Sequence, residues 1–244
     1  MHNILQDIIE KKKLDLIEKK RNYNKFKQNI TSKNIAVIAE IKLASPSAGM
    51  LGSEDEIITR AVSYEKAGAN AISFITEKHY FKSDISFIPK IKEKISLPIL
   101  QKDFVVDAYQ IYEAKTVDSD ALLLIARLLD KKTLQKFVLL CQELGIEPVV
   151  EINDAKDLSK AIETNTKIIA VNARNLENFE IDIENACELL KKIPDTFIKL
   201  GFSGIQSNKE VKKYQEAGAS AILVGTELMK AEDIEAFITK LKNI

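Results

Sequence analysis

Segment 36–49 places an acid and a base two residues apart in an apolar run, a spacing that can support chemistry. Residues two apart in a strand point to the same side, so Glu40 and Lys42 would leave such a strand together. Two charges on a buried strand are costly unless they pair or face a wet cavity. The small residues at 45–49 let a backbone approach a ligand closely. The pattern indicates an active site at the mouth of a parallel barrel, with a solvated edge strand as the alternative.

Three later apolar runs also end in polar residues. In a parallel barrel, the carboxyl ends of all strands meet at one mouth. Amino and carboxyl groups that meet there shift each other's pKa, which suits acid–base catalysis near neutral pH. Any one of these residues is equally well explained as a solvated strand end, so the prediction rests on the set. The pairs are Lys102 with Asp103, Glu151 with Asn153, and Asn172 with Arg174.

The last two apolar runs are followed by small polar pairs, Ser203-Gly204 and Gly225-Thr226. In barrels, the loops after strands seven and eight often bind phosphate through backbone N–H groups. Glycine permits the close approach, and a hydroxyl adds a donor. A single Ser-Gly pair usually marks only a turn, but two such pairs at these strands favour a phosphate site.

The order of the apolar runs predicts an α/β fold. Eight short runs of strand length, each followed by a segment with helical periodicity, fit a (β/α)8 TIM barrel better than an open doubly wound sheet. The segments EKAGANAIS and QEAGASAIL echo each other, as repeated βα units would. We predict a single domain, with the barrel over residues 35–244 and an N-terminal helical extension, residues 1–34, packed on it.

Several helices are predicted around the barrel. An amphipathic helix over residues 4–21 either caps the core or lies over one mouth of the barrel and helps to enclose a substrate. After the first strand, Ser53 and Glu56 have the spacing of a capping box, which predicts a helix over residues 54–67. A further helix is predicted over residues 83–95.

Composition and charge exclude several function classes. Lys and Arg together number 36, as do Asp and Glu, so no net charge favours nucleic acid or a membrane surface. The two histidines, His2 and His79, argue against a metal site or a Ser-His-Asp triad. Cys141 and Cys187 are expected as buried free thiols. The longest apolar run, 121–126, is too short to cross a bilayer, and a soluble cytoplasmic protein is expected.

Six motifs give the chain a family resemblance. AEIKLASPSAG, ILQKDF, PVVEIND, VNARNL, FSGI and LVGTELM occur in this order, and together they resemble the indole-3-glycerol phosphate synthase family of tryptophan biosynthesis over nearly the whole chain. The resemblance implies ring closure of 1-(2-carboxyphenylamino)-1-deoxyribulose 5-phosphate, with loss of CO2 and water. It implies a small phosphorylated substrate and no metal or organic cofactor. Association with neighbouring tryptophan-pathway enzymes stays open.

The resemblance also implies catalytic roles. Lys102 would be the general acid that activates the substrate carbonyl for attack by the aromatic ring. Lys42 would hold the substrate carboxylate, and Glu151 would be the acid–base partner in dehydration. Glu40 and Asn172 would orient the lysines and the substrate hydroxyls.

Further residues would bind substrate. Arg174 would brace the carboxylate side of the pocket, and Phe81 would pack on the anthranilate ring. The others fall at substrate-binding loops, the last four of them mainly at phosphate; they are Ser45, Ser203, Gly204, Gly225 and Thr226.

Two positions depart from the family pattern. Phe202 stands where the family usually has a glutamate, and Ser83 where it tends to have glycine. The loss of a carboxylate predicts reduced turnover or altered proton handling, and it leaves a non-catalytic phosphoester-binding barrel as an alternative. Another phosphate-binding barrel, such as a phosphoribosylanthranilate isomerase or a Schiff-base aldolase, is the alternative among enzymes.

Overall fold

The computed structural model describes residues 4, 11–13, 24–31, 34–46 and 49–243. The strands in these ranges are β1 (Ala36–Ile41), β2 (Ala44–Ser45), β3 (Gly49–Met50), β4 (Ala71–Ile75), β5 (Ile99–Lys102), β6 (Ala121–Ile125), β7 (Glu147–Ile152), β8 (Ile168–Asn172), β9 (Ile198–Phe202) and β10 (Ala221–Val224). Eight of them close a parallel barrel in the order β1-β10-β9-β8-β7-β6-β5-β4. The predicted (β/α)8 fold is confirmed.

Helices alternate with the barrel strands and cover them. They are α1 (Lys25–Asn29), α2 (Glu56–Lys66), α3 (Phe87–Lys92), α4 (Ala108–Thr116), α5 (Lys131–Glu143), α6 (Ala155–Ile162), α7 (Ile183–Lys192), α8 (Asn208–Glu216), α9 (Thr226–Lys230) and α10 (Ile234–Lys242). A 3-10 turn, Ala126–Leu128, follows β6. In the described ranges, no helix has the length and apolar character needed to cross a membrane.

Alternate residues of each strand point into the barrel. On β1, Ala36 and Ile38 belong to the apolar cluster inside the barrel, and Glu40 continues the same face towards the carboxyl end. On β7, Val149 belongs to this cluster and Glu151 follows two residues later. The period of two thus brings polar side chains from separate strands to one end of the barrel.

The amino-terminal mouth of the barrel is filled by α1. Phe26 and Ile30 are fully buried and belong to the cluster inside the barrel. The Asn29 side chain donates a hydrogen bond to the carbonyl of Asn70, directly before β4, at 3.0 Å. The predicted helix over residues 4–21 lies outside the described residues, apart from residues 4 and 11–13. Its placement stays a prediction.

α2 begins at Glu56 rather than at residue 54, and the predicted capping box is wrong. Asp55 is the N-cap residue, and its side chain makes no capping hydrogen bond. Glu56 Oε2 accepts the backbone N–H of Ser53 at 2.9 Å, which is half of a capping box. The reciprocal half is missing because Ser53 does not occupy the N-cap position. Complete boxes open α4 and α8 instead, with Asp107 and Ser207 as N-caps.

α3 is shorter than the helix predicted over residues 83–95. Asp84 Oδ1 accepts the backbone N–H of Ser86 at 2.8 Å, and this side-chain turn keeps the residues before Phe87 out of the helix. Lys82 has a φ of 56°, so the left-handed position falls on Lys82 and not on Ser83. Serine therefore replaces the family's glycine at position 83 without a left-handed backbone.

Two short strands that the sequence pattern did not predict follow β1. β2 and β3 pair antiparallel, with Ser45 opposite Gly49. The 3-10 turn after β6 and the short helix α9 after β10 were also not predicted. The two cysteines, Cys141 and Cys187, are buried free thiols, as expected.

Candidate active site

A cavity of about 710 Å³ opens at the carboxyl ends of the barrel strands. Each of the twelve site residues that the sequence suggested lies in its wall. From the first half of the chain these are Glu40, Lys42, Ser45, Phe81 and Lys102, and from the second half they are Glu151, Asn172, Arg174, Ser203, Gly204, Gly225 and Thr226. The strand-end residues thus converge, while the role of each in a reaction stays a prediction.

The carboxylate of Glu40 is shared by two lysines. Its Oε1 lies 2.9 Å from Lys42 Nζ, and its Oε2 lies 3.0 Å from Lys102 Nζ. The Glu40 side chain is only 3% exposed, so the pair is largely removed from water. Burial alone would raise the pKa of the Glu40 carboxyl, but the charges and hydrogen bonds of Lys102 and Lys42 outweigh burial and lower that pKa to about 2. Glu40 is therefore an anion that fixes both ammonium groups.

Lys102 is the second cation bonded to Glu40, and it lines the cavity. Burial alone would lower its pKa, but the carboxylates of Glu40 and Glu151 outweigh burial and raise the pKa of Lys102. Its ammonium also lies over the Phe202 ring, 5.6 Å from the centroid. At neutral pH Lys102 is charged, and it can donate a proton or a hydrogen bond to an oxygen atom in the cavity.

Glu151 has one bound oxygen and one without a partner. Oε1 accepts a hydrogen bond from Asn172 Nδ2 at 3.1 Å, and Oε2 is buried with no hydrogen-bond partner among the described residues. Burial raises the pKa of the Glu151 carboxyl, and the charge of Lys102 and the bond from Asn172 only partly offset this. The raised pKa favours a proton on the carboxyl, and a protonated carboxyl can act as an acid.

Asn172 joins three strand ends. Its Nδ2 donates to Glu151, and its Oδ1 accepts the Ser203 hydroxyl at 2.8 Å and the backbone N–H of Arg174 at 3.0 Å. Donors and acceptors on both sides fix the orientation of the amide. Because Asn172 also lies beside Phe202 in the β8–β9 register, it ties the acid–base residues to the loop after β9.

An apolar wall encloses the other side of the cavity. The rings of Phe81 and Phe104 lie 6.3 Å apart, centroid to centroid. The loop after β8 adds Leu176, Phe179 and Ile181, which sequence reasoning missed. Their apolar side chains in the otherwise polar segment NLENFEI were the available signal. Together these residues can hold a flat aromatic group.

Arg174 shapes this loop as well as facing the cavity. Its Nη1 donates to the carbonyl of Phe179 at 3.1 Å, and its backbone bridges to Ile181. The guanidinium has further N–H donors. The predicted contact with a substrate carboxylate is therefore compatible with the bond that holds the loop, and it stays a prediction.

Phe81 is positioned by an acidic residue that sequence reasoning did not single out. Glu77 accepts the backbone N–H groups of Tyr80 and Phe81 through one carboxylate oxygen, at 2.7 and 3.0 Å. The other oxygen accepts the N–H of His79 at 2.8 Å. These bonds turn the loop after β4 so that Phe81 lies in the cavity wall.

Phe202 lies inside the barrel, beneath the Lys102 ammonium. It is fully buried, and its carbonyl accepts the Tyr214 hydroxyl at 3.1 Å. At the preceding residue, Gly201, a Cβ atom would overlap the Tyr214 ring, so this ring packs directly on the backbone. This packing keeps Phe202 in the apolar cluster inside the barrel, directly under Lys102.

The comparison with known families agrees with this geometry. The model of the family described as Indole-3-glycerol phosphate synthase matches residues 4–241. The chain belongs to the indole-3-glycerol phosphate synthase family. The family resemblance seen in the six sequence motifs is confirmed.

Curated indole-3-glycerol phosphate synthases are similar over most of the chain. The protein from Aliarcobacter butzleri is 38% identical, with 98% of this chain and 98% of that protein covered. The protein from Caldanaerobacter subterraneus subsp. tengcongensis is 36% identical, with 98% and 99% covered. The Campylobacter curvus protein is 40% identical, with 85% and 80% covered.

Among solved structures, a thiamine phosphate pyrophosphorylase from Pyrococcus furiosus is similar with a TM-score of 0.62. The match covers 87% of this chain and 95% of that chain, with 11% sequence identity. At this identity, the likeness shows the barrel fold alone.

Proposed function

We propose that the protein is an indole-3-glycerol phosphate synthase, a carbon–carbon lyase of tryptophan biosynthesis. It would convert 1-(2-carboxyphenylamino)-1-deoxyribulose 5-phosphate to indole-3-glycerol phosphate, CO2 and water. One observation carries the proposal: Lys42 and Lys102 share the buried Glu40 carboxylate, in a cavity that also contains Glu151. Family membership supports the same assignment.

Ring closure needs a proton donor at the substrate ketone. The aromatic carbon that bears the carboxylate attacks the ketone carbon, and negative charge builds on the ketone oxygen. Lys102 would donate a proton to this oxygen, while Glu40 keeps the ammonium in place at 3.0 Å. The bond to the carboxylate then breaks, CO2 leaves, and the bonding electrons return to the ring. Lys42 would hold the carboxylate before it departs.

Dehydration completes the indole. Glu151 would protonate the new hydroxyl group, which leaves as water, and a proton is lost from the carbon next to the nitrogen. The unpartnered Glu151 Oε2 and the raised pKa of this carboxyl support the role of acid. Overall, one proton is taken up from solvent, because the substrate carboxylate leaves as neutral CO2.

The remaining wall residues would bind the two ends of the substrate. Phe81 and the apolar loop after β8 would hold the aromatic ring, with Arg174 at its carboxylate. The pairs at 203–204 and 225–226 would bind phosphate, which is a charged group that favours backbone N–H donors. A substrate with a phosphate group does not cross membranes freely, so we propose the cytoplasm as the site of action. Association with other enzymes of the pathway stays a prediction.

A direct assay tests the proposed function. The chain contains no tryptophan, so indole fluorescence that develops after mixing with the carboxyphenylamino substrate comes from product. We expect the indole product, measured by its fluorescence, and CO2 to form in equal molar amounts. Binding of the substrate without either signal would contradict the enzyme assignment.

A second candidate is a barrel that binds the phosphoester without converting it. The fully buried Phe202, in place of the family's glutamate, is the observation that favours it. Tight substrate binding with no product would select this candidate. A Schiff-base aldolase would instead be trapped on a lysine by borohydride in the presence of substrate.

A further inference from the structure

Gly225 lies against the ion pair of Glu40 and Lys42. It directly follows β10, which pairs with β1. A Cβ atom added to Gly225 would lie 3.0 Å from Glu40 Cδ, 3.1 Å from Lys42 Nζ, and closer still to Glu40 Oε1. Contacts this short do not persist between real atoms, so an alanine here would displace the carboxylate.

The φ of Gly225 is −124°, outside the left-handed region that favours glycine. The constraint that the structure shows is the space occupied by Glu40. The Glu40 carboxylate has little room to retreat, because it is 3% exposed and is bonded on one oxygen to Lys42 and on the other to Lys102.

We propose that Gly225 is a positioning residue, whose missing side chain leaves the space that the Glu40 carboxylate occupies between Lys42 and Lys102. This inference rests on the proposed function, in which Lys102 donates the proton. It gives Gly225 a task different from the phosphate contact implied by the family resemblance. A phosphate contact uses the backbone N–H, which an alanine keeps, whereas the space for Glu40 requires that no Cβ be present.

Kinetics separates the two tasks. In Gly225→Ala we expect kcat to fall about 30-fold or more, because Lys102 loses its fixed partner, with KM changed by less than about 3-fold. Inorganic phosphate, titrated by calorimetry, should bind Gly225→Ala within about 3-fold of the wild-type Kd. An unchanged kcat, or a phosphate Kd weakened by more than about 3-fold, would overturn the inference.

Gly52→Ala is the matched control. A Cβ at Gly52 would also be close to side-chain atoms, 3.0 Å from Glu56 Oε2 and 3.1 Å from Met229 Cε. These are the ends of flexible side chains outside the ion pair, and they can move aside. We expect Gly52→Ala to keep the wild-type kcat, KM and phosphate Kd.

A double-mutant cycle tests the inference without turnover. We expect Gly225→Ala to lower the melting temperature in the wild-type background. In a Glu40→Ala background, where the carboxylate is absent, we expect the same substitution to leave it within about 1 °C. An equal fall in both backgrounds, or no fall in the wild type, would overturn the inference. If the wild type makes no product, the proposed function fails, but the cycle still decides the steric role of Gly225.

Discussion

The Lys102 ammonium lies 5.6 Å from the centroid of the Phe202 ring, on the side away from bulk solvent. This distance is typical of a cation–π contact. The family resemblance implies a glutamate at this position. The proposed proton donor therefore keeps Glu40 as its bonded carboxylate and has an aromatic ring where a further carboxylate is expected.

Phe202→Glu should raise kcat. A carboxylate at this position would lie beside Lys102 and add an acid–base group at the cavity floor. Steady-state indole fluorescence measures the effect. Phe202→Leu is the control, because it removes the ring without adding charge, and it should give no gain. A kcat for Phe202→Glu equal to or below that of the wild type would contradict the prediction that the missing carboxylate lowers turnover.

Glu151→Gln should reduce kcat by about 100-fold or more, because an amide cannot protonate the leaving hydroxyl. In the wild type, kcat should fall with rising pH as Glu151 loses its proton, and the raised pKa of this carboxyl moves the fall to higher pH. The variant should lack this fall. Glu216→Gln, an exposed residue of α8, serves as the control. A variant that retains the wild-type pH profile would rule out Glu151 as the acid.

Glu147→Gln should stabilise the fold at about pH 8 and have little effect at about pH 4. Glu147 lies on the inner face of β7, at the end opposite to Glu151, and is 2% exposed. Burial raises the pKa of Glu147 from 4.5 to about 7, and the charges of Lys27 and Lys167 only partly oppose this. The folded chain therefore holds the Glu147 carboxyl in its protonated form, and ionisation of this carboxyl destabilises the fold.

The direction of the pH effect on stability follows from the pKa of Glu147 in the unfolded and in the folded chain. Below pH 4.5 the carboxyl is neutral in both states, and between pH 4.5 and about 7 the unfolded chain ionises first, so stability is lost as pH rises. At about 1.4 kcal/mol per pKa unit, the loss is about 3 kcal/mol at most. Thermal unfolding at both pH values measures it, with the exposed Glu93→Gln as control. Equal melting temperatures for Glu147→Gln and the wild type at about pH 8 would contradict the prediction.

The strands and the convergence of the site residues could be predicted because both depend on local periodicity. Glu40 and Lys42, two residues apart, share one side, and the barrel topology brings Lys102 and Glu151 to the same mouth. The family motifs then selected residues such as Phe81, which no periodicity identifies. The predicted helix starts were less accurate. A side-chain turn at Asp84, for example, makes α3 begin at Phe87 and not at residue 83.

Features that depend on contacts between distant segments could not be predicted. The shared carboxylate of Glu40 requires Lys102, 62 residues away, at 3.0 Å. The space at Gly225 is filled by a side chain from the other end of the barrel sequence. Phe179 enters the cavity wall because Arg174 holds its carbonyl. Each of these is set by tertiary packing, on which the local pattern carries no information.

The single-turnover rate of Lys102→Ala, followed by indole fluorescence, tests whether Lys102 donates the proton. Lys42 still pairs with Glu40 in this variant, so the fold should persist, as circular dichroism would show. Lys212→Ala, at an exposed position of α8, is the matched control and should keep the wild-type rate. We predict that Lys102→Ala forms product at least about 1,000-fold more slowly than the wild type. A folded Lys102→Ala protein that forms product at the wild-type rate would show that Lys102 is not the proton donor.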